Sequence, residues 1–193
     1  MMRGVLVGIL ILMAGAVGWL TFDWYRTTYG GGEPFGAPFA LVDQKGGEIT
    51  EAAFRGSPTA LFFGFTHCPE VCPTTLYELD GWLSQMGADG DKVEAFFVSV
   101  DPERDTPEVL DRYVSNVSSR ITGITGTPEK VAEMTKAFKI YAKKVPLDGD
   151  DYTMDHTASI LLLGRRGDFF GTIAYGESAE TAIAKLTRLV NEG

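Results

Sequence analysis

Gly64-Phe65-Thr66-His67-Cys68-Pro69-Glu70-Val71-Cys72-Pro73 is the stretch on which the reading of this chain turns. It holds both cysteines of the sequence and one of its two histidines. The apolar run before it, Ala60-Leu61-Phe62-Phe63, has the bulk of a buried strand. After it, Thr74 to Gln85 reads as a helix, with Leu76, Leu79 and Leu83 at helical spacing. The cysteines therefore fall at a strand-to-helix turn, the edge where parallel sheets carry their sites. Pro73 suits the first helical position, which makes Cys72 the expected N-cap. A thiol there feels the positive helix end, so its pKa is expected to fall.

Working outward, Val93 to Val100 reads as a second buried strand, closed by the loop Asp101-Pro102-Glu103-Arg104-Asp105. Thr106-Pro107-Glu108 and Thr127-Pro128-Glu129 each offer an N-cap, a first-turn proline and an acid, the opening of a helix. The first helix is predicted to about Val114. The second is predicted to about Tyr141, with Lys136, Lys139, Lys143 and Lys144 along its tail as a solvated face. Phe39-Ala40-Leu41-Val42-Asp43 and Glu48-Ile49-Thr50 flank a Gly-containing turn and read as a hairpin. Asp148 to Asp151 lacks EF-hand spacing and reads as a solvated turn. After His156 come the strands Ala158 to Leu163 and Phe169 to Ala174, then a last helix from about Ser178. The order is hairpin, β, α, β, α, α, β, β, α. That is an α/β domain with a mixed sheet, parallel at its centre.

The N-terminus is different in kind. Gly4 to Phe22 is an uncharged apolar run of nineteen residues, close to the roughly 20 that span a bilayer as a helix. Trp19, Trp24 and Tyr25 cluster at its far end, where aromatic residues favour the membrane interface. We read residues 1–22 as a single membrane anchor with a short cytoplasmic N-terminus, a cleaved signal peptide being the competing reading. Residues 23–38, rich in Gly and Pro, read as a tether, and 39–193 as the domain, exported to a bacterial periplasm. A net charge of −9 argues against nucleic acid as a partner.

Cys68 and Cys72 offer two soft sulfur ligands, and the candidates to join them are His156 and His67. His67 abuts Cys68, and in a tight turn its side chain points away from the sulfur. His156 precedes a strand and follows a loop that can move, so it is the favoured third ligand. Two thiolates and one imidazole suit copper in both oxidation states. A Cys2His2 zinc site is numerically possible. A redox pair that makes and breaks a disulfide is the third reading, though its spacing has one residue more than Cys-X-X-Cys. A structural disulfide is the plain alternative.

The cysteine stretch, extended through Thr74-Thr75-Leu76, resembles the signature of the SCO/SenC family, copper chaperones of cytochrome c oxidase assembly. Val98 to Pro107 resembles the family's second motif, and Asp155-His156-Thr157 its third. The resemblance covers about Phe39 to the C-terminus. It implies a thioredoxin-like mixed sheet flanked by helices, with copper held by Cys68, Cys72 and His156. It implies delivery to the binuclear copper centre of the oxidase's copper-accepting subunit, with periplasmic copper chaperones or thioredoxin-like reductants as further partners. It also allows a thiol-disulfide oxidoreductase that keeps the acceptor's cysteines reduced. Asp155 resembles a family position beside the ligand that supports it or contacts a partner, a turn-capping carboxylate being the equal alternative, and the same readings hold for Asp101. Met154 stands where a β-branched residue is usual and reads as packing.

Overall fold

The structure, a computed structural model, describes residues 8, 12–22, 34–149 and 151–193. The chain divides into two compact units, Met1–Glu33 and Pro34–Gly193. In the first, residues 12–22 are helical, and Leu12, Val17, Trp19 and Leu20 are exposed. Among the described residues no helix is long and apolar enough to cross a membrane. Much of the expected anchor, with Trp24 and Tyr25, lies outside the described residues, as does the tether over 23–33.

The second unit is built on a sheet of order β2-β1-β5-β4-β3-β8-β9 among the described residues. Its strands are β1 (Ala40–Asp43), β2 (Glu48–Thr50), β3 (Thr59–Gly64), β4 (Glu94–Ser99), β5 (Ile121–Thr125), β8 (Ser159–Leu163) and β9 (Phe169–Ala174). β3 is buried at every residue, which is why it reads as an unbroken apolar run. It pairs parallel with β4 and antiparallel with β8, and β4 pairs parallel with β5. The mixed sheet with a parallel centre is as expected. The hairpin β1–β2 is held by Asp43, whose Oδ1 accepts from Lys45 N and Gly47 N, both at 2.8 Å.

Among the described residues, four α-helices pack on this sheet: α1 (Val71–Gln85), α2 (Pro107–Val117), α3 (Pro128–Ala137) and α4 (Ala179–Glu192). Thr106, Thr127 and Ser178 cap α2, α3 and α4, each hydroxyl accepting a first-turn N–H. Phe62, Phe63, Phe97 and Phe138 are fully buried between sheet and helices. Residues ahead of β1 join this packing: Phe35 N donates to Gly167 O, and the Phe35 ring meets Phe138 edge-on at 5.7 Å.

Three expectations need correction. β5 was not anticipated, because Gly123 interrupts its apolar pattern; a Cβ there would meet Leu110 at 2.7 Å. α3 stops at Ala137, not Tyr141. Lys139 takes φ 56, Ile140 N donates to Thr135 O and Lys139 N to Lys136 O, a Schellman closure with lysine in the usual glycine position. The chain then enters a second, two-stranded sheet, β6 (Ala142–Pro146) paired antiparallel with β7 (Tyr152–His156). Lys143 and Lys144 therefore lie on a strand, and His156 ends one rather than following a free loop.

Candidate metal and thiol site

β3 delivers the chain to Phe65, whose carbonyl accepts from Cys68 N at 3.3 Å and so closes the turn. α1 then begins at Val71 with Glu70 as N-cap. The expected assignment of Cys72 as N-cap is therefore displaced, and Cys72 lies inside the first turn. The sulfur that meets the open helix end is that of Cys68, which accepts from Cys72 N at 3.4 Å. A thiolate in that place takes the N–H groups that a capping oxygen would.

This reverses the expected reactivity. Cys68 is pulled down to about 5, first by the Cys72 thiol and then by backbone N–H groups of Cys72, Glu70 and Val71, against a desolvation that raises it. Cys72, fully buried, is pushed up by its bond to Cys68 and by desolvation. Both cysteines are free thiols, and the pair holds one proton between a partly exposed thiolate and a buried thiol. The approach of α1 depends on Gly64, where a Cβ would lie 2.9 Å from Cys72 Sγ and 2.6 Å from the Phe97 ring.

His156 reaches the same sulfur from the other end of the sequence. Its Nε2 is 3.5 Å from Cys72 Sγ, and its Nδ1 is 3.0 Å from Thr157 O. A carbonyl only accepts, so Nδ1 carries the ring proton and Nε2 turns its lone pair toward the sulfur. Phe62 and Phe65 wall the ring, Phe65 at right angles and 5.7 Å. Cys72 thus contacts both Cys68 and His156. Among the described residues, however, no three His, Cys, Asp or Glu side chains form a ready-made metal cluster.

The remaining candidates fall elsewhere. His67 turns away, its Nδ1 3.2 Å from Thr66 Oγ1 and 4.0 Å from Asp105 Oδ1. Asp155 is exposed, opposite Lys143 in the hairpin register. Met154 packs against the core. Asp101, 3% exposed, is bound by Arg104 Nε at 2.5 Å and by the Tyr152 hydroxyl at 2.8 Å. Sequence reasoning passed over Asp105, which is buried and accepts from Thr66 N, Thr66 Oγ1 and Ser99 Oγ. It also passed over Tyr113, whose hydroxyl is buried without a hydrogen-bond partner and whose pKa rises through desolvation and then the nearby cysteines. Asp105 and Arg104 lay in the quoted second motif; Tyr113 shared a helical stripe with Leu110 and gave no other sign.

A thioredoxin-like α/β sheet with a cysteine pair at a strand-to-helix turn and a histidine brought against it defines the class. The SCO1/SenC family pattern matches residues 27–191, and the chain belongs to that family. It is 35% identical over 160 residues to Protein SCO2, mitochondrial, of Saccharomyces cerevisiae, covering 81% of this chain and 53% of that one. It is 39% identical over 145 residues to Protein SCO2 homolog, mitochondrial, of Bos taurus, covering 74% and 54%. The chain thus spans about half the length of these relatives. The structure of Bradyrhizobium japonicum ScoI with copper bound superposes with TM-score 0.74 at 46% identity, covering 80% of this chain and 99% of that one. That of yeast Sco1 with copper bound gives 0.76 at 32% identity, covering 83% and 90%.

Proposed function

We propose that this chain carries copper for the assembly of cytochrome c oxidase, held by Cys68, Cys72 and His156 and passed to the binuclear copper centre of the copper-accepting subunit. The observation that carries this reading is the meeting of Cys72 Sγ and His156 Nε2 at 3.5 Å, in a family whose similar members have been solved with copper bound. The donor set fits: two sulfurs suit Cu(I), and the imidazole lone pair extends the site to Cu(II). Copper is cargo here. Cys68, the partly exposed sulfur, is the ligand an incoming acceptor thiolate can displace first, while buried Cys72 keeps hold until transfer is complete.

Residues 1–22 serve as a single-pass anchor in the bacterial inner membrane, the residues up to 33 as the tether, and 34–193, with Phe35 packed on the domain, as a copper-binding domain in the periplasm. The exposed apolar side chains of the helix over 12–22 support this, since such a surface calls for lipid or protein cover.

A second reading rests on the asymmetry of the thiols. As a thiol-disulfide oxidoreductase, Cys68 thiolate would attack an acceptor disulfide, and the Cys72 thiol would lose its proton and displace the acceptor. The acceptor gains two electrons as a dithiol and Cys68–Cys72 becomes a disulfide, which a thioredoxin-like reductant would restore. The test titrates reduced residues 34–193 with Cu(I) and Cu(II) against a competing chelator, beside His156→Ala. One tightly held copper, with a thiolate-to-Cu(II) band that collapses in the variant, supports the carrier. Weak binding with rapid reduction of a disulfide partner moves the assignment to oxidoreductase.

A further inference from the structure

The hairpin that ends in His156 lies outside the main sheet. A two-stranded hairpin is marginal on its own, so whatever docks β6–β7 on the body decides where His156 is presented. At the His156 end the bonds Tyr141 N to Thr157 Oγ1 at 3.1 Å and Thr157 N to Tyr141 O at 3.0 Å only extend the hairpin's own ladder. The body is met there by apolar packing of Met154 and of the His156 ring beside Phe62 and Phe65, and by the contact with Cys72.

The other end is clamped. Arg104 Nη1 donates to Tyr152 O at 3.0 Å and to Asp151 Oδ1 at 3.3 Å, and its guanidinium carbon lies 3.7 Å from the centre of the Tyr152 ring. Its Nε is tied to buried Asp101, which also receives the Tyr152 hydroxyl. Lys144, on β6, reaches the same ring at 3.8 Å and pairs with Glu103 at 2.7 Å. The whole grip comes from the turn 101–105, closed by Asp105 N to Asp101 O at 2.9 Å. That same turn holds the cysteine loop through Asp105 and Thr66. One short turn therefore fixes both halves of the site: Asp105 the cysteines, Arg104 the histidine strand. Tyr152 and His156 share a strand face by two-residue alternation, roughly 13 Å apart, so a shift at Tyr152 travels along the strand.

We propose that Arg104 is a positioning residue for His156, setting through Tyr152 where the hairpin presents Nε2 to the Cys72 sulfur. Arginine suits the task because its flat face stacks while its edge bonds two groups at once. The chain has only two histidines, so ring-15N histidine labelling of the full chain in detergent, reduced and copper-free, gives two assignable sets of signals. In Arg104→Ala the His156 ring signals should shift and broaden while those of His67 stay, and Arg104→Lys should give a smaller change. Unchanged His156 signals in folded Arg104→Ala overturn the proposal. Should the variant unfold through the unpaired charge of Asp101, Arg104→Ala with Asp101→Asn removes that charge and is read the same way.

The copper measurement rests on the reading above. Cu(II) affinity should fall about tenfold in Arg104→Ala, with Cu(I) affinity within about threefold. Unchanged Cu(II) binding in His156→Ala would defeat the copper-ligand reading, and the copper-free ring signals would still decide the positioning.

Discussion

His156 Nε2 and Cys72 Sγ stand 3.5 Å apart although 84 positions separate them in the chain. The contact joins a hairpin to the first turn of α1, and its sulfur also touches Cys68. Cys72 is thus the hinge of the site, buried and protonated, with Cys68 as its ionised and accessible neighbour. The division of labour between exchange and retention follows from that difference.

Alkylation reads the asymmetry directly. In the reduced protein Cys68 should react with iodoacetamide at a rate that rises through about pH 5 and levels off by neutrality, whereas an ordinary thiol climbs toward 9.0. Cys72 should stay unmodified until the protein unfolds. Because the Cys72 thiol is the largest influence on Cys68, Cys72→Ala should move the midpoint upward. A wild-type midpoint above pH 8, followed by peptide mass analysis, would reject the account.

Gly64→Ala tests how closely the site is packed. The added methyl would lie 2.6 Å from the Phe97 ring and 2.9 Å from Cys72 Sγ, where no rotamer of the new residue can relieve it. Overpacking of this kind costs about 1–3 kcal/mol. Urea unfolding should show that loss, together with faster alkylation of a displaced Cys72. Wild-type stability in the variant would mean that α1 has room to move.

What the sequence disclosed follows the strength of its local signals. The capped starts at Thr106 and Thr127 were legible because cap, proline and acid sit within one turn, and that at Ser178 because cap and acid do. The buried strands β3, β4 and β8 were legible because nothing polar interrupts them. β5 was not, since Gly123 makes room for Leu110, a partner distant in sequence. The end of α3 was hidden because Lys139 adopts a backbone conformation that its side chain does not advertise. At the site, residue types named Cys68, Cys72 and His156, but not which sulfur meets the helix end. That turns on two residues of register, from a start at Pro73 to one at Val71.

The segment ahead of β1 carries weight in the fold. Phe35 packs at 5.7 Å on Phe138 and 5.2 Å on Phe169, and Pro34 bridges Asp168. A protein beginning at residue 39 should be less stable than one beginning at 34 by about 1–3 kcal/mol, from the lost burial and ring pairing of one phenylalanine. Urea midpoints of the two forms decide it. Equal midpoints would make residues 34–38 part of the tether.

Asp105 gives stability its own pH signature. The carboxyl is fully buried, and its pKa is raised by desolvation although Ser99 and Thr66 hydrogen bonds oppose the rise; Asp101 nearby adds to it. Between 3.8 and its higher native value the folded protein binds more protons at this residue than the unfolded chain does. Stability must therefore fall as pH rises through that window, and the ionised carboxylate carries the full penalty above it. Asp105→Asn removes the titration while keeping one acceptor for Thr66 or Ser99. Urea unfolding of both at matched pH values should show wild-type stability, relative to the variant, declining as pH rises from below 3.8 and then flattening. A relative stability that increases over that range would mean that the two hydroxyls and the Thr66 N–H outweigh burial, and that Asp105 anchors the cysteine loop as a stabilised anion.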